Sequence, residues 1–413
     1  MDPAEFRDPE IILESLTAFF VVLITALIFS ALFRRFKVPW AVALILGGIA
    51  LGPQGLGWFE PGESLLFMAE IGVIFLMFIA GMETKISSIK EVWWEAFFVG
   101  TISGLVPALV GLLIGIFFDL GIEAALLLAI IFMSSSFAVV IPTLEARGVI
   151  HYRLGKIIVA STMLQDIASL IILAIFLQFI SPEETPVSFP VLMIIVAAVF
   201  AAGYKLKRYV PRFRKWLQEQ KKKTSNRYRF ERELRMAVAV LIGASVVFEF
   251  FRMETIVGAF FAGLLLSEVI SSKVLENKIH VLGYGIFIPV FFVTIGGWTN
   301  VSLLVEEASK IWPLVFAIIL GSALTKFASG FLASRWLSLS TYQSSLVGVT
   351  SVPQLITTLA VVLVGQGLGI LDEQLSTAII MLSIVTTLVS PMITGHLLRS
   401  KPDNCLKEGL EVK

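Results

Sequence analysis

The stretch "GVTSVPQLITTL", Gly348–Leu359, breaks a long apolar run with two hydroxyls, Thr350 and Ser351, and a proline, Pro353. Proline removes a backbone donor and obstructs the preceding helical turn. Where no water reaches, the carbonyls so freed need partners inside the protein or a wet cavity. A second stretch has the same design: "MSSSFAVVIPTLE", Met133–Glu145, places Ser134, Ser135 and Ser136 ahead of Pro142. Either cluster alone is compatible with hydroxyls that pack helices and a passive kink. The pair becomes informative once its place among the apolar runs is counted.

The chain has 413 residues, of which 57% are hydrophobic and 15% charged, and its mean hydropathy is +0.90. That is more apolar surface than one globular core can bury, and it marks a polytopic membrane protein. A formal net charge of +1 gives no basis for nucleic-acid binding, and the single cysteine, Cys405, rules out an intrachain disulfide. The first apolar run is too long for a cleaved leader. No nucleotide loop, metal cluster or Ser/His/Asp arrangement stands out, so neither an enzyme nor a cofactor is expected.

About thirteen apolar runs can be read, at 11–33, 38–58, 64–82, 92–117, 122–146, 154–180, 187–209, 234–251, 254–271, 279–298, 310–336, 341–366 and 374–398. Basic residues follow alternate runs: Arg34, Arg35 and Lys37; Lys85 and Lys90; Arg147, Arg153 and Lys156. Acidic residues occupy the other loops: Glu60 and Glu63, Asp119 and Glu123, Glu183 and Glu184, Glu306 and Glu307, Asp372 and Glu373. The positive-inside bias therefore expects the N-terminus outside and the C-terminus in the cytoplasm. The longest break, between the seventh and eighth runs, holds thirteen of the 32 basic residues, Lys205 to Arg235. It reads as a solvated connector, with an amphipathic surface helix on anionic lipid near Phe213–Leu217 as the alternative. Six runs lie on each side of the seventh, the count expected of two inverted six-helix repeats joined by a linker. The two hydroxyl–proline breaks fall in the fifth run of each half. Interrupted helices at corresponding positions are the pointer to a transport site.

The sixth run carries "STMLQDIASL", Ser161–Leu170, with Asp166 about 18 Å along a helix that starts at its first apolar residues. Thr162 at i−4 and Ser169 at i+3 share its face, and Ser161 and Gln165 adjoin it. An intramembrane carboxylate is costly enough to imply function, and oxygen ligands of this kind suit a hard cation. In the eleventh run Lys326, flanked by Ser322 and Ser329, lies too deep to snorkel out. It is expected to be first of all a tether for the carbonyls of a broken helix or a counter-charge for Asp166, with a titrating group as the alternative. Glu70 reads as an interfacial or packing carboxylate, Glu249, Arg252 and Glu254 as a local cluster, and His280 and His396 as interfacial histidines. Gly47, Gly48, Gly258 and Gly263 read as sites of close helix packing.

The ordered set "LGGIALGPQGLG" (46–57), "EIGVIFLMFIAGMET" (70–84), "SSSFAVV" (134–140), "LQDIASL" (164–170), "VGAFFAGLLLSE" (257–268) and "TKFASGFLASR" (325–335) resembles the monovalent cation:proton antiporter-2 family over nearly the whole chain. The resemblance implies an all-α membrane protein with two unwound helices crossing near the carboxylate. It also implies an elevator-type core, a dimerisation domain and a homodimer in lipid. The chain then divides into an extracytoplasmic segment 1–10, dimerisation helices 11–91, core helices 92–186, a linker helix and basic loop 187–233, dimerisation helices 234–309, core helices 310–398 and a cytoplasmic tail 399–413. Where electrogenic members have two adjacent aspartates, this chain has Gln165 and Asp166. Lys326 matches the family's lysine, whose aspartate partner is absent. Gln165 looks like the potassium/proton branch, whereas "SVPQ" (351–354) looks closer to sodium/proton exchangers.

The expected function is exchange of Na⁺, or Li⁺, for H⁺ across a prokaryotic cell membrane, electroneutral and 1:1. Asp166 would bind either a proton or a cation, with Gln165, Thr162, Ser135, Ser136 and backbone carbonyls near Phe137 and Val352 around it. Lys326, Thr350, Ser351, Pro353 and Pro142 would support the helix crossing. The alternative is K⁺/H⁺ exchange or regulated K⁺ efflux, for which a separate regulatory subunit is left open.

Overall fold

In a membrane every backbone polar group must be satisfied within the protein, so long apolar segments are driven to close their own hydrogen bonds as helices. A computed structural model describes residues 9–35, 38–83, 90–136, 139, 144, 149, 152–180, 226–250, 255–269, 273–300, 302, 303 and 308–400. Among the described residues all regular structure is helical. The elements are α1 (Pro9–Arg34), α2 (Trp40–Leu51), α3 (Glu63–Glu83), α4 (Trp93–Phe117), α5 (Ile122–Met133), α6 (Arg153–Ile180), α7 (Asn226–Phe250) and α8 (Thr255–Val269). They continue with α9 (Lys273–Leu282), which runs through a π-turn at Gly283–Phe287 into α10 (Ile288–Trp298), and with α11 (Ala308–Trp336), α12 (Thr341–Thr350), α13 (Ile356–Gly367) and α14 (Glu373–Ser400). Seven helical stretches in the described residues are long and apolar enough to cross a membrane, and α2, α5, α8 and α13 are shorter apolar helices.

Four boundaries differ from the sequence reading for local reasons. The second run stays apolar to Trp58, but α2 stops at Leu51, because the chain turns back through Gly55 and Gly57, with Leu56 N bonded to Ala50 O at 2.9 Å. Helix α7 starts earlier than its apolar run, with its first two turns in polar sequence. Helix α9 likewise begins at Lys273, ahead of the tenth run. The twelfth run is two helices, α12 and α13, separated by the non-helical stretch around Pro353. The seventh run, most of the basic connector, Phe137, Pro142, Arg252, Glu254 and the tail with Cys405 lie outside the described residues.

The chain packs as two compact units. One takes the described parts of Met1–Gly62, Ile86–Leu173 and Phe292–Lys413, and the other those of Glu63–Lys85 and Ala174–Phe291. In the first, α4 packs against α5 and α11, and α11 against α12. A Cβ on Gly348 would sit 2.7 Å from the Phe327 carbonyl oxygen, so α12 approaches α11 backbone to backbone just before its break. Ion pairs Arg153–Glu95 and Lys156–Glu91 fasten the start of α6 to the first turn of α4 and to the short turn Lys90–Val92 that precedes it. In the second unit α3 packs on α8, and a Cβ on Gly263 would lie 2.0 Å from Phe78 O, as the close-packing reading of that glycine expects. His280 stacks on Tyr284 there, with Nε2 3.5 Å from Glu83 Oε1.

Candidate functional site

Helix α5 ends at Met133 with its last carbonyls unpaired by further helix, and α13 starts at Ile356 with its first amides likewise free. Between α12 and α13 the non-helical chain at Val352–Leu355 meets the non-helical chain at Ser134–Ser136. Ser136 N donates to Pro353 O at 2.7 Å, and Ser135 Oγ donates to Ser351 O at 2.6 Å. The two sequence breaks therefore stabilise one another: each offers the polar backbone groups that the other lacks. Helix α14 closes one side with hydroxyls. Ser390 Oγ donates to Val349 O at 2.8 Å, and Thr387 Oγ1 donates to Gln354 O at 3.4 Å.

Two charges sit at this crossing, and among the described residues Asp166 and Lys326 are the only charged side chains that are buried. Each is matched to a helix end. Lys326 Nζ donates to Met133 O at 2.9 Å, to Ser134 O, to Ser135 Oγ at 2.8 Å and to Gln165 Oε1 at 3.0 Å. A cation there complements the negative C-terminal end of α5. Asp166 Oδ1 accepts from Thr357 Oγ1, in the first turn of α13, at 3.2 Å, so the carboxylate lies at the positive end of a helix. Lys326 thus donates to the carbonyls at the interrupted end of α5.

The other sequence candidates divide into two groups. Gln165 is bound on both sides of its amide, accepting from Lys326, with Ser135 Oγ 3.1 Å from the same oxygen, and donating from Nε2 to Ser103 Oγ at 2.9 Å. It fills the acceptor place beside the lysine with a neutral group. Ser135 and Ser351 build the crossing, and Pro353 lends it a carbonyl. Thr162 Oγ1 donates to Ile158 O and Val159 O, and Thr350 Oγ1 to Leu346 O and Val347 O, so both are turned back on their own helices. Val352 N bonds Val349 O at 3.2 Å, and Ser136 Oγ is buried without a hydrogen-bond partner. Glu70 and His396 are exposed and stand outside this cluster.

Sequence reasoning missed Thr357, Ser103 and Gln354. Thr357 could have been found: a break at Pro353 puts the next helix start within a few residues, and a hydroxyl there faces the break. Nothing in "TISGL" (101–105) reveals that Ser103 meets Gln165.

The family model described as "Sodium/hydrogen exchanger, transmembrane" matches residues 21–400. The chain belongs to this family. Among curated relatives of this exchanger-family chain, the "Probable Na(+)/H(+) antiporter 3" of Methanocaldococcus jannaschii is 28% identical over 388 residues, covering 93% of this chain and 96% of that protein. The "Na(+)/H(+)-K(+) antiporter GerN" of Bacillus cereus is 25% identical over 393 residues, 94% of this chain and 97% of that one. The sodium proton antiporter MjNhaP1 from Methanocaldococcus jannaschii shares the fold, with a TM-score of 0.68 at 16% identity over 94% of this chain and 99% of its own. The family is one of integral-membrane transporters, not enzymes.

Thr357 gives this exchanger-family site its first test. Its hydroxyl donates to Asp166 Oδ1, and with the carboxylate ionised such a charge-assisted bond is worth about 1.5–3 kcal/mol. If Asp166 is the group that exchanges its proton, Thr357→Val should make that proton harder to displace and move the acid limb of the transport–pH curve toward alkaline pH by about one unit. Thr357→Ser should leave the curve in place. An unmoved curve in Thr357→Val would remove the threonine from the site.

Proposed function

We propose that the protein exchanges Na⁺ or Li⁺ for H⁺, with Asp166 as the group that holds one or the other. The observation that carries this reading is a buried carboxylate, the only one among the described residues, at a helix N-terminus, beside a lysine already committed to backbone carbonyls and a neutral glutamine. Such a carboxylate can be neutralised by a proton or by a monovalent cation, and both cannot occupy it together. Competition for one group makes the exchange obligatory. Thr162, Ser135 and Ser136 hydroxyls, with carbonyls near Phe137 and Val352, are the oxygens from which the cation shell is drawn.

The stoichiometry proposed is 1:1 and electroneutral. Lys326 meets a glutamine oxygen rather than a second carboxylate, so the described site offers no further carboxylate to add a charge to the cycle. Alternating access is assigned to an elevator motion of core helices 92–186 and 310–398 against dimerisation helices 11–91 and 234–309 in a homodimer. The N-terminus is placed outside and the C-terminus in the cytoplasm of a prokaryotic cell membrane, following the loop charges. Potassium is the second reading, supported by the name of the Bacillus relative and by Gln165.

The test is proton movement in proteoliposomes on adding Na⁺, Li⁺ or K⁺, with the membrane potential clamped or free. Dissipation of a pH gradient by Na⁺ irrespective of potential supports the proposal. Activity with K⁺ alone selects the second reading, and a rate that follows the potential sinks electroneutrality. Competition also sets a quantitative expectation: on the acid side, each pH unit should raise the apparent KM for Na⁺ about tenfold with little change in maximal rate, as linkage at one shared site requires. A fall in maximal rate at constant KM would contradict it.

A further inference from the structure

Gln354 is fully buried at the crossing, yet only half of its side chain is engaged. Its Nε2 donates to Ile131 O at 3.2 Å, Phe132 O at 3.4 Å and Ser134 O at 3.4 Å, all at the end of α5. Three acceptors on one side decide which end of the amide faces them, because only the nitrogen can donate. The amide oxygen is then turned from those carbonyls, and it is buried with no hydrogen-bond partner. The backbone of Gln354 is held as well, with N bonded to Thr386 Oγ1 at 3.3 Å and O accepting from Thr387 Oγ1 at 3.4 Å.

Ser136 Oγ is a second buried oxygen without a partner, and the Ser136 amide bonds the carbonyl of Pro353, the residue before Gln354. Three residues after Gln354, Thr357 holds the Asp166 carboxylate. Two orphan oxygens therefore belong to residues at this backbone contact, on the chain that leads into the helix start holding the buried carboxylate. A buried acceptor left unsatisfied costs about 1–3 kcal/mol. Native structures keep such groups where an ion or water completes them, or where function uses them.

We infer that Gln354 Oε1 is a ligand of the transported cation, alongside Asp166 and Ser136, and that it sets the cation preference. An amide oxygen is a neutral, hard donor of the type that replaces hydration water. It strengthens the field at the cation without adding charge, so one monovalent ion still balances Asp166. Its nitrogen, anchored on α5, fixes how far the oxygen reaches, which is how a rigid shell discriminates between ions of different radius. The inference rests on the exchange reading above.

The experiment compares the parent protein, Gln354→Met and Gln354→Glu in proteoliposomes, reading apparent KM for Na⁺, Li⁺ and K⁺. Gln354→Met should raise the KM of the preferred cation about tenfold, equivalent to about 1.4 kcal/mol, and change the ratio among cations. Gln354→Glu brings a second carboxylate to the ion and should make the rate respond to an imposed potential. Ratios within about twofold of the parent in both variants, with no response to potential, overturn the inference. A parent that moves no protons with any of the cations refutes the exchange reading instead. Should the variants fail to assemble, Tl⁺ bound to the unaltered protein is located by anomalous scattering. Tl⁺ in contact with Gln354 Oε1 supports the assignment, and Tl⁺ on Asp166 with only water at Gln354 overturns it.

Discussion

Asp166→Asn is expected to abolish cation-driven proton movement while leaving a folded protein in the membrane. Asparagine keeps the shape of the side chain and an oxygen that can accept from Thr357, so the hydrogen bond at 3.2 Å has a successor. It also removes a charge whose burial is unfavourable, so the thermal stability of the variant in detergent should equal or exceed that of the parent. What is lost is the ability to gain and release a proton and to neutralise a cation. The parent should be stabilised by added Na⁺ in proportion to the logarithm of its concentration above Kd, and the variant should show no such shift. Asp166→Glu separates charge from position: it retains the acid but moves it by one methylene, so exchange should persist at a reduced rate with a changed cation affinity. Exchange by Asp166→Asn above the level of empty liposomes would show that the carboxylate is not the shared site.

Much of this site is legible from hydroxyls, prolines and the count of apolar runs, because intramembrane polar groups are too costly to be placed at random. Asp166 and Lys326 stand out for that reason, and both prove buried. The crossing of Ser134–Ser136 with Ser351–Leu355 follows from two matched interruptions whose unpaired backbone has nowhere else to go. Which hydroxyl meets which carbonyl is not legible. Thr162 shares a helix face with Asp166, yet its O–H is turned to the carbonyls of Ile158 and Val159, since a threonine in a helix readily bonds the preceding turn. Thr357 lies 191 residues from Asp166 and reaches it only because α13 begins where it does. Helix ends themselves are set by glycine turns and polar flanks, which is why α2 stops short of its apolar run and α7 extends beyond its own.

Lys326→Ala should damage the fold more than any other single change at the crossing. The ammonium shares its three N–H groups among the carbonyls of Met133 and Ser134, the Ser135 hydroxyl and the Gln165 amide oxygen, and alanine leaves those acceptors facing a void. Gln354 Nε2 also reaches Ser134 O, but at 3.4 Å it cannot take over the Met133 carbonyl as well as its own partners. Breaking a buried charged network of this kind costs about 3–5 kcal/mol. In detergent the thermal midpoint should fall by roughly 10 °C, by the scaling for soluble domains of a few hundred residues. Lys326→Gln retains an amide donor on a shorter side chain, so it should recover part of that loss. If the lysine acts as a tether, Lys326→Gln should still exchange cations for protons in an electroneutral manner, at a rate above that of Asp166→Asn. If instead Lys326 carries a transported proton, both lysine variants should fold and both should be inactive. Thermal midpoint and transport measured on the same preparations distinguish the two roles, because a tether links them and a proton carrier does not.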